Sequence, residues 1–210
     1  FFFKQKTAYE IYQCDWSSDV CSSDLSEQIH EINDLFSKYR ISEALMATYK
    51  LIWDDFCSWY LEAVKPEFIE GIPQPLSEHT ISKTKDFLEV LLKLVHPFMP
   101  FVSEEIWHLI KSRDEKESVM LSDWPKQTSF NAEIIKEVEK AKEIISNVRM
   151  IRQQKAISPK ERLKLNYRII KVGLSDELNP FISKLANLSA IEAVTEKVRS
   201  EEHTSELQSH

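Results

Sequence analysis

Two glycines, Gly71 and Gly173, are all that the 210 residues contain, where an average chain would use about 7%. Glycine supplies the backbone wherever a loop must wrap closely round a phosphate. Gly-rich nucleotide cradles, dinucleotide-binding turns and glycine-hinged lids therefore have no material here. The same scarcity, beside abundant Leu, Ile, Glu and Lys, directs the chain towards helices. No apolar run reaches the roughly 18 residues that a membrane-spanning helix needs. Hydrophobic residues make up 42% of the chain, enough for a real core in a water-soluble protein of one or two domains.

The ends read differently from the middle. The chain opens on FFF and runs through DWSSDVCSSDL to Leu25 with no sustained period, and RSEEHTSELQSH from Arg199 onward is equally aperiodic. Both stretches resemble translated sequencing-adapter DNA, and two natural tails are the alternative. Residues 1–25 and 199–210 are accordingly set aside as non-native flanks. Cys14 and Cys21 go with them. Cys57 is left alone between Phe56 and Trp59, with no disulfide or zinc spacing, as suits a small core residue in a reducing cytoplasm.

Between Ile41 and Tyr60 the apolar positions Ile41, Ala44, Leu45, Ile52, Trp53, Phe56, Trp59 and Tyr60 recur at three- and four-residue steps. This spacing predicts one long helix with a single buried stripe, ended by Pro66. Gly71, Pro73 and Pro75 make a connector. Ser77 then suits the N-cap of a helix carrying Ile81, Phe87, Leu88, Leu91, Leu92 and Val95 inward. HPFMP, residues 96–100, breaks it. A third helix from about Phe101 has Ser103, Glu104 and Glu105 as cap and dipole partners, with Ile106, Trp107, Leu109 and Ile110 inward. A polar connector over 111–130 is expected to be pinned by Val119, Leu121 and Trp124. From Ala132 to about Lys155 a fourth helix keeps Ile134, Val138, Ala141, Ile145 and Val148 on one face, and Pro159 stops it. Alternation from Leu163 to Ile169 predicts a half-buried strand. A short helix near Asp176–Leu188 and a strand over Ala190–Thr195 complete the pattern. The expected fold is an all-α helix bundle over 26–158 with a small α/β appendage over 159–198.

Charge is unevenly spread. The net charge is −7. Residues 26–130 hold 11 Lys and Arg against 18 Asp and Glu, whereas residues 144–172 hold eight against Glu161 alone. Such a basic stretch suits a polyanion, because each neutralised phosphate releases counterions. It equally suits a solvated helix face balanced by acidic neighbours. Asp54 and Asp55 are adjacent, about 100° apart on a helix, and cannot act as a catalytic carboxylate pair unaided. His96, before Pro97 at a helix end, fits a structural role. No metal cluster or nucleophile triad can be assembled.

Four runs carry a specific resemblance: YRISEALMATYKLIWDDFCSWYLEAVKP (Tyr39–Pro66), LLKLVHPFMPFVSEEIWHLI (Leu91–Ile110), SVMLSDWP, and VRMIRQQKAISPKERLKL. Together they resemble the anticodon-binding helical region of class I aminoacyl-tRNA synthetases. FCSWYLE, Phe56–Glu62, is more similar to the valine branch of bacterial type than to the isoleucine and leucine branches. HPFMPFVSEEIW is shared more widely. The similarity covers roughly Ser26–Val198.

The resemblance implies a bundle that grips the anticodon stem and loop of a tRNA, that of valine, in a cytoplasmic parent enzyme that is monomeric and has no membrane partner. The alternatives are the same module from an isoleucine or leucine enzyme, or a helical protein-interaction module. The parent would use ATP and Mg to attach the amino acid. This segment lacks the HIGH-like and KMSKS-like signatures, and is expected to hold no cofactor and to be inactive alone. Loop bases stack on aromatic or guanidinium planes while Lys and Arg hold phosphates. Trp53, Trp59 and Tyr60 are the candidate platforms, although aromatic residues at this spacing are ordinarily core. Arg40, Lys50 and Lys65 flank the first helix. Arg149, Arg152 and Lys155 on the fourth are the favoured RNA-facing cations.

Overall fold

The structure, a computed structural model, describes residues 25–66, 68–69, 72–114, 116–126, 131–167 and 178–194. Residues 1–24 and 199–210 of the two flanks lie outside the described residues. Two compact units are present, Phe1–Asn131 and Ala132–His210. The second unit begins with the fourth predicted helix, which packs with the elements that follow it.

The first unit opens with a helix the sequence did not suggest, α1 over residues 25–37. Leu25, Ile29 and Ile32 lie buried along it at four- and three-residue steps, the spacing of one helical face. Leu25, set aside with the flank, is thus a core residue. The helix closes in a left-handed cap at Tyr39, φ 57°, and the Arg40 amide donates to the Leu35 carbonyl at 2.9 Å. That cap ordinarily falls to glycine.

One unbroken helical rod follows, α2 (Ile41–Lys50), a π-helical stretch (Leu51–Tyr60) and α3 (Leu61–Val64). Lys65 is extended, φ −50° and ψ 142°, as the residue before proline prefers. The strands β1 (Phe68–Ile69) and β2 (Ile72–Pro73) pair antiparallel, where only a short connector was expected. Ser77 caps α4 (Glu78–Val95), its Oγ accepting the Thr80 amide at 3.1 Å. Such a cap is worth about 1 kcal/mol. Thr80, Phe87, Leu91, Leu92 and Leu94 face inward, while Ile81 is exposed.

Helix α5 (Pro100–Ile110) starts on its proline, whose missing N–H costs nothing in a first turn. Ser103 is not a cap. Its buried hydroxyl donates back to the Met99 carbonyl at 2.8 Å and lies 2.7 Å from Nδ1 of His96. Glu104 instead fastens the following connector, accepting from the Ser118 hydroxyl at 3.0 Å and the Val119 amide at 3.1 Å. Val119 is buried as expected, but Leu109 and Leu121 point outward. Trp124 pins the loop through Nε1, which donates to Oδ1 of Asn33 at 2.7 Å, and through its edge-on contact with Phe36.

Leu25, Ile29, Ile32, Leu51, Phe56, Tyr60, Phe87, Leu91 and Leu94 form the main core of this unit. Each large apolar side chain buried there contributes about 1.5–3 kcal/mol of transfer free energy. A smaller cluster joins Leu92, Trp107 and Val119.

In the second unit, α6 (Ala132–Gln154) buries Val138, Ala141, Ile145 and Val148 and packs with α7 (Asn179–Ala186). The strands β3 (Leu163–Tyr167) and β4 (Leu188–Ala193) run parallel, from Leu163 opposite Leu188 to Tyr167 opposite Ala193. Helix α7 ends two residues sooner than predicted, β4 begins two residues earlier, and the predicted helix start at 176–177 lies outside the described residues. The predicted strand's last residues, 168–169, lie outside the described residues.

Candidate nucleic-acid interface

The rod from Ile41 to Val64 does not wind uniformly, and its outer face follows from that. In an α-helix a seven-residue step returns to within about 20° of its start, so Trp53 and Tyr60 would share the buried stripe. Across Leu51–Tyr60 the hydrogen bonds skip one residue more, and the Ser58 hydroxyl reaches the Trp53 carbonyl at 2.8 Å. With the roughly 4.4 residues per turn that i→i+5 bonding gives, the same step leaves the two side chains about 150° apart. Tyr60 is accordingly in the core, edge-on to Phe87, with its hydroxyl 3.0 Å from that of Thr84. Trp53 is turned out, 59% exposed. Ile41 and Leu45, also placed in the stripe by the sequence, are exposed as well.

Trp53 does not stand alone. The Tyr49 ring lies 6.4 Å from it with only 10° between the ring planes, and is itself 55% exposed. Two parallel rings four residues apart offer flat, sequence-tolerant surfaces to an unpaired base. Lys50, between them in sequence, is exposed. Arg40, before the rod, is exposed but forks onto both oxygens of Glu43. Trp59 is half-buried. Lys65 is ion-paired with Glu62. Tyr49 was missed from sequence, although its four-residue spacing from Trp53 was a usable signal.

The cations of the second unit divide in a way the sequence did not foresee. Arg149 is exposed and donates to the Leu185 carbonyl at 3.0 Å. Lys155 is exposed beyond the end of α6. Arg152, counted among the RNA-facing cations, is 6% exposed. One guanidinium nitrogen donates to the Ser158 and Glu161 carbonyls at 3.1 and 2.9 Å, the other to Ala186 and Asn187 at 3.1 and 2.9 Å. Those main-chain oxygens engage both terminal nitrogens, and Nε is buried with no hydrogen-bond partner among the described residues, so Arg152 turns no face outward to a phosphate. Its expected role is corrected to an internal one.

Asp54 is exposed and Asp55 half-buried. Cys57 is a half-buried free thiol. Among the described residues no group of three or more His, Cys, Asp or Glu side chains could hold a metal ion, and no helix is long and apolar enough to cross a membrane.

Residues 20–167 match the family model described as the anticodon-binding domain of tRNA ligase. The chain is similar to valine–tRNA ligases of several bacteria. It is 49% identical to that of Phocaeicola vulgatus over 82% of this chain and 19% of the relative. Identity is 46% with that of Christiangramia forsetii, over 81% and 19%. It is 30% with that of Aquifex aeolicus, over 82% and 16%. The chain thus spans less than a fifth of the length of these relatives.

Proposed function

The chain belongs to the anticodon-binding domain family of tRNA ligases, and on that premise we propose that it binds the anticodon stem and loop of the valine tRNA as one segment of a longer valine–tRNA ligase. The observation that carries this reading is the exposed, parallel pair Tyr49 and Trp53. Aromatic side chains of that size are usually drawn into a core, and here both stand on the exposed face of the rod. Unpaired loop bases stack on such surfaces, each contributing about 1–3 kcal/mol. Lys50 supplies charge beside them, and Arg40 can exchange its Glu43 partner for phosphate. Trp59 belongs to the same rod, while Arg149 and Lys155 are among the exposed cations of the second unit. Identity of 42–49% with seven valine–tRNA ligases supports the choice of amino acid.

In the parent protein, joining valine to its tRNA with ATP and Mg would be the work of residues outside this stretch. The parent would be a cytoplasmic monomer. Binding of the full chain to the valine, isoleucine and leucine tRNAs tests the assignment. Tightest binding to the valine tRNA is expected, and a preference for either of the others rejects it.

A further inference from the structure

The turn that follows α6 is built more rigidly than an exposed loop requires. Ala156 takes the left-handed conformation, φ 53°, and the Ile157 amide closes the helix end on the Arg152 carbonyl at 2.9 Å. The Arg152 side chain then holds the Ser158 and Glu161 carbonyls from beneath. From the end of α7, the Asn187 amide group donates to the Pro159 carbonyl at 2.7 Å and to Glu161 at 3.3 Å. The Glu161 amide returns to Ser158 at 3.1 Å. With its carbonyls held inward, the turn leaves Lys155, Lys160 and Arg162 exposed. None of the three makes an ion pair among the described residues, in contrast to Lys164, which pairs with Glu192 at 2.7 Å.

We propose that this turn, residues 155–162, is a second RNA-binding element that grips the sugar-phosphate backbone of a paired stem, with Arg152 as its positioning residue. The proposal rests on the reading of the chain as a tRNA-binding domain and adds an interaction of a different kind. No aromatic side chain lies between Arg149 and Arg162, so the turn has nothing on which to stack a base. Cations without stacking partners hold phosphates and carry no sequence information. A backbone fixed before binding also removes the ordering cost that a floppy basic loop would meet. Arg162 can pair bidentately with a phosphate, whereas the two lysines act as point charges.

The test is the salt dependence of binding by the full chain, measured for the valine and isoleucine tRNAs. The triple variant K155Q/K160Q/R162Q, altered only at exposed side chains, is expected to bind both tRNAs about tenfold more weakly near 100 mM salt. The slope of log K against log salt should flatten by about 0.9 for each phosphate that is no longer neutralised. The ratio between the two tRNAs should stay as in the parent. Arg152→Lys keeps the net charge but cannot span four carbonyls. If it remains folded by circular dichroism, a flattened slope at constant charge identifies it as a positioning residue, and an unaltered slope removes that role. Parental affinity and slope in the triple variant overturn the proposal. A chain that fails to discriminate between the tRNAs, yet still loses slope in the triple variant, overturns the anticodon reading instead.

Discussion

The Arg152 guanidinium donates to the Asn187 carbonyl at 2.9 Å, and the Asn187 side chain donates onward to the Pro159 carbonyl at 2.7 Å. Two side chains from different helix ends thereby hold one turn. Arg152→Met removes a set of charge-assisted bonds and leaves the buried Ala186 carbonyl without that donor. Its cost should be about 3 kcal/mol or more, read as a lowered denaturation midpoint. Asn187→Ala, which loses only the amide arm, should cost less.

Among the described residues, three other than glycine hold left-handed caps, Tyr39, Ala156 and Asn187. The conformation costs a Cβ-bearing residue about 1–2 kcal/mol. Ala156→Gly should therefore raise thermal stability by about 1 kcal/mol at equilibrium. A lower melting temperature in this variant would show that the cap is not under strain.

Trp53→Ala should weaken binding of the valine tRNA by tenfold or more, following the stacking contribution of about 1–3 kcal/mol per base. Because the ring is exposed, the melting free energy should change by no more than about 0.5 kcal/mol. Tyr60→Ala provides the contrast. It opens the core and should destabilise the chain by about 3 kcal/mol or more.

Lys111 lies 3.0 Å from Glu89 and 3.2 Å from Asp86. The hydrogen bond to Glu89, aided by Asp86 and only partly opposed by desolvation, holds its ammonium above the ordinary 10.5. A raised cationic group stabilises fully below its unfolded value and stops doing so as pH passes through its folded value. The stability gap between the parent and Lys111→Met should then be flat up to about pH 10.5 and close above it. The gap itself should not exceed about 1 kcal/mol for so exposed a pair.

Much of the architecture could be read from spacing and punctuation. Ser77 capped its helix, Pro66 stopped the rod, and the alternation from Leu163 marked a strand, since each of these acts within a turn or two of chain. Part of what escaped depended on interactions distant in sequence. The α1 helix was hidden by the aperiodic text before it. Leu109 and Leu121 were placed inward by residue type alone, and nothing local distinguishes them from Trp107 and Val119. Of the interface, Lys50 and Lys155 were recognisable as exposed cations. Arg152 was not recognisable as buried, because its partners lie as far off as residue 187. Trp53 was named for stacking yet also counted within the buried stripe, a conflict that 3.6-residue counting cannot resolve.

The wide winding between Leu51 and Tyr60 decouples two selective pressures that one helix would normally have to satisfy together. Trp53 and Tyr60 stand almost back to back, so substitutions on the outer face need not disturb how the interior is filled. Substitutions that restored ordinary pitch would, by contrast, bring Trp53 and Tyr60 back onto one face.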